Sequence, residues 1–383
     1  MKKKDFLFII SGFVCWRVLL FVFLFLAIKF LPLQQHFLGG RMENYIKNPW
    51  LWSWVNFDGE HYLALAVEGY RSLTYFFFPV FPMLNRLIAG VFNGDIYFIV
   101  WSGLFVSNIS LILALTGFWK LIKLDYKTST AKIATILLLI FSTSFYFGSY
   151  YTESLFLALV VWSFYFARKE KWLLASVLAG ISSATRLIGI IMLPVMLIEF
   201  YMRYKTNLGK YWYKIIPVIF LSLSGFITYL YYLKLQTGDP LEFFRTVGVF
   251  GSQRSTTLVL LPQVFYRYIF KILPSLNYSY LTNVFTTLLE ITSATLFLAL
   301  SVYALFKLRA SYAIYLVFGY LLPTLSGSFS SLPRYVLVLF PAFILLALWI
   351  EKLSRPFKIV VYGILFVGLA IASALFLRGY WVS

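Results

Sequence analysis

Long apolar runs separated by short polar connections form the main pattern of this chain. Ten runs occur, at about 6–31, 96–119, 133–149, 153–167, 173–200, 213–235, 281–306, 312–327, 335–350 and 358–377. A helix of about 20 apolar residues crosses a bilayer, and a chain inside lipid must pair its own backbone polar groups. Because the runs are too long and too uniformly apolar for barrel strands, they predict an all-α polytopic integral membrane protein.

Composition agrees with this class of protein. Of the 383 residues, 61% are hydrophobic and 12% are charged, whereas soluble domains carry about 25% charged residues. The net charge is +19, but the basic residues cluster between the runs, as the positive-inside rule expects, so no nucleic-acid partner is predicted. The start MKKK and its apolar run resemble a signal peptide, but the run is too long and no cleavage site follows, which predicts a retained first span.

The basic connections set the predicted orientation, because cytoplasmic loops carry an excess of Lys and Arg. The lysines at 2–4 place the N-terminus inside. Two later basic groups are both predicted to lie inside, yet only the run 173–200 separates them. A chain that leaves and returns to the same side must cross the membrane an even number of times. The run is therefore predicted to form two short helices that meet near Arg186 at the outer face. The prediction is eleven spans in one membrane domain, 1–383, with the N-terminus inside and the C-terminus outside.

This topology gathers the unusual polar residues on the outer side of the membrane. It predicts two large outer loops, about 32–95 and about 236–280, and the first of these is expected to form short helices. The unusual residues that it places outside include Asp58, Glu60, His61, Glu68, Glu153, Arg186, Asp239, Glu242 and Arg334. Because the inner loops are short and basic, the function is predicted to face outward.

The stretch NFDGEHYLALAVEGY in the first outer loop concentrates this chemistry. Its three acidic residues are a sizeable share of the 14 carboxylates in the chain, and it also holds one of the 2 histidines. The pattern predicts a short helix over Gly59–Glu68, preceded by Asp58 as N-cap and stopped by a glycine. On such a helix Asp58, His61 and Glu68 share one face, whereas Glu60 points elsewhere.

Two interpretations of Asp58 stay open at this stage. Its carboxylate can cap the helix, a routine task for Asp. It can also act as a general base for a hydroxyl group, because a helix N-terminus keeps a carboxylate ionised. His61 likewise is either a simple i, i+3 partner of Asp58 or a group that holds the carboxylate or contacts a phosphate.

The outer arginines point to an anionic substrate. Glu153 and Arg186 are costly near membrane depth, so they either form a structural pair or serve the function. Arg334 either anchors the chain at the interface or offers its guanidinium fork to phosphate. The chain has no GxxxxGK[ST] loop and no GxGxxG after a strand. A transferase of this kind is therefore predicted to use a membrane-borne donor such as a lipid phosphate.

Five stretches, taken in order, resemble the PIG-V family of mannosyltransferases, which belongs to the GT-C class of polytopic glycosyltransferases. They are FDGEHYLALAVEGY, FFFPVFP, YYTESLFLAL, ATRLIGI and SSLPRYVLVLFP, and they span about residues 52–345. No single stretch is decisive, but their order and their shared outer side make the resemblance fairly specific. The family usually shows Trp-Asp in the first motif. Here Phe57 precedes Asp58, a minor departure because the aromatic character is kept.

The resemblance implies a GT-C fold, a polyprenyl-phosphate sugar donor that is typically mannosylated, and no cofactor. Carboxylates and histidine can hold a divalent cation, but the chain has no HExxH motif and the family generally needs no metal. By resemblance, Asp58 is the catalytic base, and His61 and Tyr62 match the positions that follow it. The predicted substrate-binding residues are Glu60, His61, Tyr62, Glu68, Glu153, Arg186 and Arg334.

The expected function is inverting transfer of a hexose, with mannose favoured, from a polyprenyl phosphate to an acceptor hydroxyl. The acceptor would be a glycan, a glycolipid or a protein at the outer face of a prokaryotic cell membrane. Two alternatives remain. A transporter or flippase of lipid-linked sugars would suit Glu290, which lies inside a predicted span. A non-catalytic subunit of a membrane mannosyltransferase would have a dispensable Asp58.

Overall fold

Helices and their connections make up the whole of the described chain. The computed structural model describes residues 1–245, 254–255 and 257–382, and within these ranges it contains no strand. Six of the described helices are long and apolar enough to cross a membrane: Lys3–Phe30, Ile96–Ile122, Leu187–Tyr204, Leu208–Thr237, Leu281–Lys307 and Arg355–Leu377. For these residues the predicted class, an all-α multi-pass membrane protein, is confirmed.

Shorter helices occupy most of the other predicted spans. Three are apolar helices of intermediate length: Thr128–Ile140, Trp172–Ser183 and Ala310–Thr324. A fourth, Glu153–Arg168, is 16 residues long and buried along most of its length. By length and composition the described residues hold six spans, or seven with the bent pair below. The predicted number of eleven, which includes shorter helices, therefore stays a prediction.

The helix Glu153–Arg168 packs between Ile96–Ile122 and Trp172–Ser183. Two glycines of the helix Ile96–Ile122 permit its close contacts with the following part of the chain. A Cβ atom at Gly103 would lie 2.1 Å from the ring of Tyr150, and one at Gly117 would lie 2.9 Å from Val161. Small residues let membrane helices approach closely, so these glycines set the spacing at the centre of the molecule.

The run 173–200 is broken near Arg186, as predicted. The helix Trp172–Ser183 ends just before it, and Arg186 itself is extended, with φ −153° and ψ 147°. A 3-10 turn, Leu187–Ile191, and the helix Met192–Tyr204 follow. The break leaves Arg186 outside both helical segments.

The predicted run 335–350 is not one straight helix. Its two pieces, Leu332–Val338 and Phe340–Lys352, meet at an angle of 83°. Pro341 lies in the first turn of the second piece. Because proline has no N–H group, it is favoured at the start of a helix and disfavoured inside one. Because of the bend, Arg334 lies on the short first piece and not on the helix Phe340–Lys352.

The two predicted outer loops contain short helices. In the first loop they are Arg41–Lys47, Pro49–Trp52, the 3-10 turn Ser53–Val55, Asp58–Glu68 and Val80–Gly90. In the described part of the second loop they are Glu242–Arg245, Leu261–Arg267, the π-helical turn Tyr268–Ile272 and the 3-10 turn Leu273–Ser275. Residues 246–253 and 256 of that loop, and the predicted outer C-terminus at Ser383, lie outside the described residues.

Candidate active site

Asp58 forms an ion pair with Arg334 at the start of the helix Asp58–Glu68. Its Oδ2 lies 2.6 Å from Nη1 of Arg334, and the two side chains are 22% and 7% exposed. The prediction that Asp58 caps this helix is wrong: the helix begins at Asp58, and Phe57 takes the cap position with φ 57°. The carboxylate is thus engaged by a cation from the bent segment 332–338.

The ion pair keeps Asp58 charged. Burial is the largest single effect and raises the pKa of the Asp58 carboxyl, but the opposing effects, led by the charge and hydrogen bond of Arg334, together hold the pKa below its ordinary value. The charges of His61 and Arg254 act in the same direction. Asp58 is therefore an ionised carboxylate that is still partly open to its surroundings.

Glu153 joins this pair to a second arginine. Its Oε1 lies 2.5 Å from Nη1 of Arg186 and 3.5 Å from Nε of Arg334. Arg186 also donates to Thr152 Oγ1 at 2.9 Å. Asp58, Arg334, Glu153 and Arg186 thus form a chain of alternating charges, which is what burial of Glu153 at 0% exposure requires.

Tyrosine rings surround the Arg334 guanidinium. Its carbon Cζ lies 5.2 Å from the ring of Tyr335, 5.4 Å from Tyr151 and 5.5 Å from Tyr146. Aromatic faces attract a guanidinium and hold it in place without neutralising it. The Arg334 side chain is therefore fixed by a carboxylate on one side and by aromatic rings on the others.

A cavity of about 360 Å³ opens beside the ion pairs. Its polar lining comes from Asp58, Tyr62, Thr185, Arg186, Arg254, Ser255, Thr257, Ser326, Arg334 and Tyr335. The rest of the lining is apolar: Phe76, Phe77, Phe78, Leu187, Ile188, Phe243, Phe244, Leu258, Leu322, Pro323 and Leu325. The cavity can therefore receive a molecule that has both an anionic or polar part and an apolar part.

Arg254 is a cavity residue that the sequence did not reveal. It donates to the carbonyl oxygen of Ser330 at 2.9 Å and to the hydroxyl of Tyr335 at 3.2 Å. Within the described part of the chain it has no carboxylate partner, unlike Arg186 and Arg334. One feature of the sequence could have indicated Arg254: it is a basic residue in a predicted outer loop, and the positive-inside rule expects few basic residues there.

Two further predicted residues lie near Asp58. Tyr62 lines the cavity, and its hydroxyl is 3.5 Å from Thr152 Oγ1. The ring of His61 stacks on Phe77 with centroids 5.0 Å apart. Burial lowers the pKa of His61, and the charge of Asp58 only partly opposes this. His61 is thus favoured as a neutral ring at the edge of the site.

The remaining acids of the same helix lie apart from the cavity lining described here. Glu68 pairs with Arg71 at 2.8 Å, and both side chains are well exposed. Glu60 is half-buried, and burial raises its pKa against the opposing charge of Arg41. The shared face that the helical period predicted for Asp58 and Glu68 therefore does not bring both to the cavity.

Metal ligands do not come together in the ranges that the structure covers. No group of three or more His, Cys, Asp or Glu side chains there could hold a metal ion. Both carboxylates of the charge chain are instead paired with arginine. The expected independence from metal stays a prediction.

Comparison with known proteins identifies the class of fold. No family model matches the chain, and no curated protein matches it. Among solved structures, ArnT from Cupriavidus metallidurans bound to undecaprenyl phosphate has a TM-score of 0.50 and 15% identity, over 94% of this chain and 62% of that one. An oligosaccharyltransferase from Archaeoglobus fulgidus, in complex with Zn and sulfate, has a TM-score of 0.47 and 14% identity, over 95% of this chain and 53% of that one.

The likeness to ArnT shows a shared fold. The chain spans 62% of the length of ArnT. At this identity the comparison concerns the membrane fold alone.

Proposed function

We propose that this chain is an inverting glycosyltransferase that moves a hexose from a polyprenyl phosphate to an acceptor hydroxyl. The observation that carries the proposal is the cavity whose lining combines an ionised Asp58 and three arginines with a large apolar surface. The shared fold supports it, because ArnT was solved bound to undecaprenyl phosphate. Mannose is the favoured sugar, by the resemblance of the five sequence stretches to the PIG-V family.

Asp58 would be the catalytic base. As the acceptor oxygen attacks C1 of the sugar, Asp58 takes the hydroxyl proton and the bond between C1 and the phosphate oxygen breaks. The phosphate leaves with the bonding electrons, and the configuration at C1 inverts. An inverting transfer of this kind needs one base and a good leaving group. The low pKa of Asp58 keeps it in the form that can accept the proton.

The arginines would stabilise the departing phosphate. Arg254 is the best placed of the three, because its partners in the described chain are neutral oxygens. Arg334 and Arg186 also line the cavity, although each shares its charge with a carboxylate. Fixed cations aimed at a developing negative charge lower the barrier without reorganising. The apolar remainder of the cavity suits the prenyl chain.

Glu153 and the other predicted residues take narrower roles in this proposal. Glu153 is absent from the described cavity lining and contacts both Arg186 and Arg334, so it is a positioning residue. Tyr62 stays a proposed substrate contact because it lines the cavity. Glu60 and Glu68 have no such support from their positions.

The proposal includes the membrane arrangement predicted from the sequence. It has eleven spans, an inner N-terminus, an outer C-terminus and an active site on the outer face of a prokaryotic cell membrane. The acceptor is a glycan, a glycolipid or a protein, and catalysis needs no metal or other cofactor. The basic clusters between apolar runs support the orientation, since they follow the positive-inside rule.

Glu290, which suited the transport alternative, has a supporting contact in the structure. It is 6% exposed and accepts a hydrogen bond of 2.9 Å from Tyr268. The same tyrosine oxygen lies 3.2 Å from Ser328 Oγ and accepts from Phe329 N at 3.1 Å. Glu290 therefore helps to fix the turn that precedes Arg334, which fits an enzyme as well as a transporter.

The proposal is tested by sugar transfer with the purified full-length chain in nanodiscs. Radiolabelled polyprenyl-phosphate mannose is the first donor, with EDTA present, and polyprenyl-phosphate glucose and arabinose follow. Asp58→Asn should lower kcat by about a hundredfold or more, the usual contribution of a general base. Glu68→Gln, which removes a surface carboxylate from the same helix, is the matched control and should keep normal turnover.

Three outcomes would overturn the proposal. Normal transfer by Asp58→Asn would remove the base assignment. Movement of intact lipid-linked sugar across proteoliposomes, with no cleavage from any donor, would favour the transporter instead. Transfer that requires an added second protein and survives Asp58→Asn would favour the non-catalytic subunit.

A further inference from the structure

Phe57, the residue directly before Asp58, has an unusual backbone conformation. Its φ of 57° and ψ of −121° are rare for a residue with a bulky side chain. The N–H of Gly59 donates to the carbonyl oxygen of Asn56 at 3.2 Å, which closes a tight turn over residues 56–59. The Phe57 angles are those of the first central position of a type II′ turn, where glycine dominates. A phenylalanine there is strained, so its surroundings must hold it in place.

Three aromatic rings enclose the Phe57 side chain and form an aromatic cage. The centroid of its ring lies 5.4 Å from that of Phe37, 5.6 Å from that of Phe376 and 5.2 Å from that of Trp381. Phe57 is 4% exposed, and aromatic pairs at these distances add to the stabilisation from burial. The N–H of Phe57 also donates to the carbonyl oxygen of Phe37 at 3.1 Å. The surroundings thus hold both the ring and the backbone of Phe57.

Two members of the aromatic cage come from the C-terminal helix and the segment that follows it. Phe376 lies in the last turn of that helix, and Trp381 comes after its end. The carbonyl oxygen of Trp381 accepts from the Thr286 hydroxyl at 3.0 Å, and that of Val382 accepts from the Tyr146 hydroxyl. These hydrogen bonds fix the segment against the protein, so Trp381 is held where it meets Phe57.

Asn56 ties the same turn to the C-terminal helix. Its side chain donates to the carbonyl oxygen of Phe376 at 2.9 Å and accepts from the N–H of Gly39 at 3.0 Å. Its carbonyl oxygen also accepts from the Tyr151 hydroxyl at 2.7 Å, and Asn56 is fully buried. Both residues before Asp58 are therefore fixed by contacts from three distant parts of the chain.

The turn determines where the Asp58 carboxylate lies. Asp58 is the first residue of its helix, so the backbone angles of Phe57 set the direction in which that helix begins. A relaxed backbone at Phe57 would redirect the start of the helix and move the carboxylate relative to Arg334, which it meets at 2.6 Å. A glycine would adopt the turn without strain, but it would bring no ring for the aromatic cage to hold.

We infer that Phe57 is a positioning residue and that the aromatic cage acts through it on Asp58. The cage holds the strained turn, and the turn holds the Asp58 carboxylate at the cavity and beside Arg334. Neither Phe57 nor any ring of the cage belongs to the cavity lining that the structure describes, so their effect on catalysis is indirect. This inference rests on the proposed function, in which Asp58 is the base.

The inference is tested first by sugar transfer with the purified full-length protein in nanodiscs. The variants are Phe57→Leu, which removes the ring, and Trp381→Leu, which opens the cage at a residue that is already 42% exposed. Each should lower kcat by about tenfold or more, because a displaced base is badly placed for the acceptor proton. KM for the donor should stay within about twofold, since the arginines that hold its phosphate are unchanged. Phe57→Trp keeps an aromatic ring and should retain most of the wild-type kcat.

The acid limb of kcat/KM separates positioning from a general loss of folded protein. When the cage is opened, the carboxylate moves away from Arg334, and burial then raises the pKa of Asp58. The acid limb of Phe57→Leu and Trp381→Leu should therefore move to higher pH. A smaller folded fraction would lower the rate at every pH without moving the limb. The other groups whose charges interact with Asp58 are kept in both variants: Arg254, His61, Tyr62, Tyr146, Tyr151 and Tyr335.

Amide hydrogen exchange tests the aromatic cage without any transfer reaction. The N–H of Phe57 donates to the carbonyl oxygen of Phe37 at 3.1 Å, and the N–H of Glu60 donates to that of Phe57 at 2.9 Å. In Trp381→Leu both amides should exchange about tenfold faster or more, because the turn opens more often. Amides of the helix Ile96–Ile122 should keep their wild-type rates, which shows that the fold is intact.

Trp212→Leu is the matched control for Trp381→Leu. Trp212 is also an exposed tryptophan, and it lies outside the described cavity lining, so this variant should match wild type in exchange, kcat and acid limb. Unchanged exchange in both cage variants would show that the rings do not hold the turn. Faster exchange with a wild-type kcat and an unmoved acid limb would show that the turn does not position Asp58. Either result overturns the inference.

Failure of the proposed function would give a different result. No transfer by wild type would remove Asp58 as the base, and with it the positioning role of Phe57, whereas the exchange rates would still show whether the cage holds the turn. Normal transfer by wild type, together with unchanged exchange in Phe57→Leu and Trp381→Leu, would overturn the inference alone.

Discussion

At the scale of single residues, Asp58 and Arg334 define the site. They are 276 positions apart in the chain (334 − 58), and they lie 2.6 Å from each other in the structure. The sequence identified both as functional candidates from their residue types and their predicted side. It did not predict their pairing, because a capping Asp and a pairing Asp have the same local sequence. Only the tertiary structure decides between them.

The pH dependence of catalysis should report this pairing. Because Arg334 holds the pKa of Asp58 below the ordinary value of 3.8, wild-type kcat/KM should show no loss from Asp58 protonation until the pH falls below that value. In Arg334→Gln, the positive charge that mainly offsets the effect of burial is removed, and burial raises the pKa of a carboxyl group. The acid limb of the residual activity should therefore move to higher pH.

Arg334→Lys is the control for this shift, since it keeps the positive charge and replaces the forked guanidinium group by an ammonium group. Its acid limb should stay close to that of wild type, even if kcat falls. An Arg334→Gln profile that coincides with wild type on the acid side would contradict the pairing. The same sign applies to folding: a depressed carboxyl pKa stabilises the fold at pH values above the ordinary pKa, and this stabilisation is lost as the pH falls through the folded-state pKa.

At the scale of elements, apolar runs and breaks in them were predictable, whereas bends and partners were not. The break at Arg186 followed from parity of the basic loops, and the structure has it. The 83° bend between Leu332–Val338 and Phe340–Lys352 did not follow, because hydropathy records burial in lipid and not direction.

The glycine contacts at the centre lead to a prediction about stability. Gly103→Ala would place its Cβ 2.1 Å from the ring of Tyr150, so a large shift of packed side chains is required. Overpacking of this kind costs about 1–3 kcal/mol. The Tm of the purified protein in detergent should fall by several degrees, as followed by intrinsic fluorescence.

Gly363→Ala is the matched control, because nothing lies within 4 Å of its added Cβ. It is also a glycine inside a long apolar helix, Arg355–Leu377. Its Tm should stay the same or rise slightly, since Ala is the better helix former. Equal losses from both substitutions would show that close packing at Gly103 is not the cause.

At the scale of the whole molecule, the proposed orientation can be measured directly. In a Cys15→Ala background, cysteines are placed at Thr206 and at Ser275, which the topology assigns to opposite sides. A membrane-impermeant maleimide should label position 275 in intact cells and position 206 only after permeabilisation. The opposite pattern would reverse the orientation, and labelling of both from outside would break the predicted parity between them.

The fold class and the outer location of the chemistry were both predicted for the molecule as a whole, but only the all-α, multi-pass membrane class is confirmed, for the described residues. Composition and run length were sufficient to predict the class, because every span inside the bilayer must pair its own backbone polar groups. The pairing of Asp58 with Arg334 needed coordinates, since the two residues come from separate stretches of the chain. Charge counting alone assigns such residues to loops.

The sharing of Glu153 between two arginines has a consequence for how this protein can vary. Replacement of Glu153 alone would leave two guanidinium groups near each other with one remaining acidic neighbour, and loss of Arg186 alone would leave a fully buried carboxylate short of a partner. Breaking a buried ion pair from one side is far more costly than removing it whole. Among natural relatives, positions 153, 186 and 334 should therefore change together or not at all.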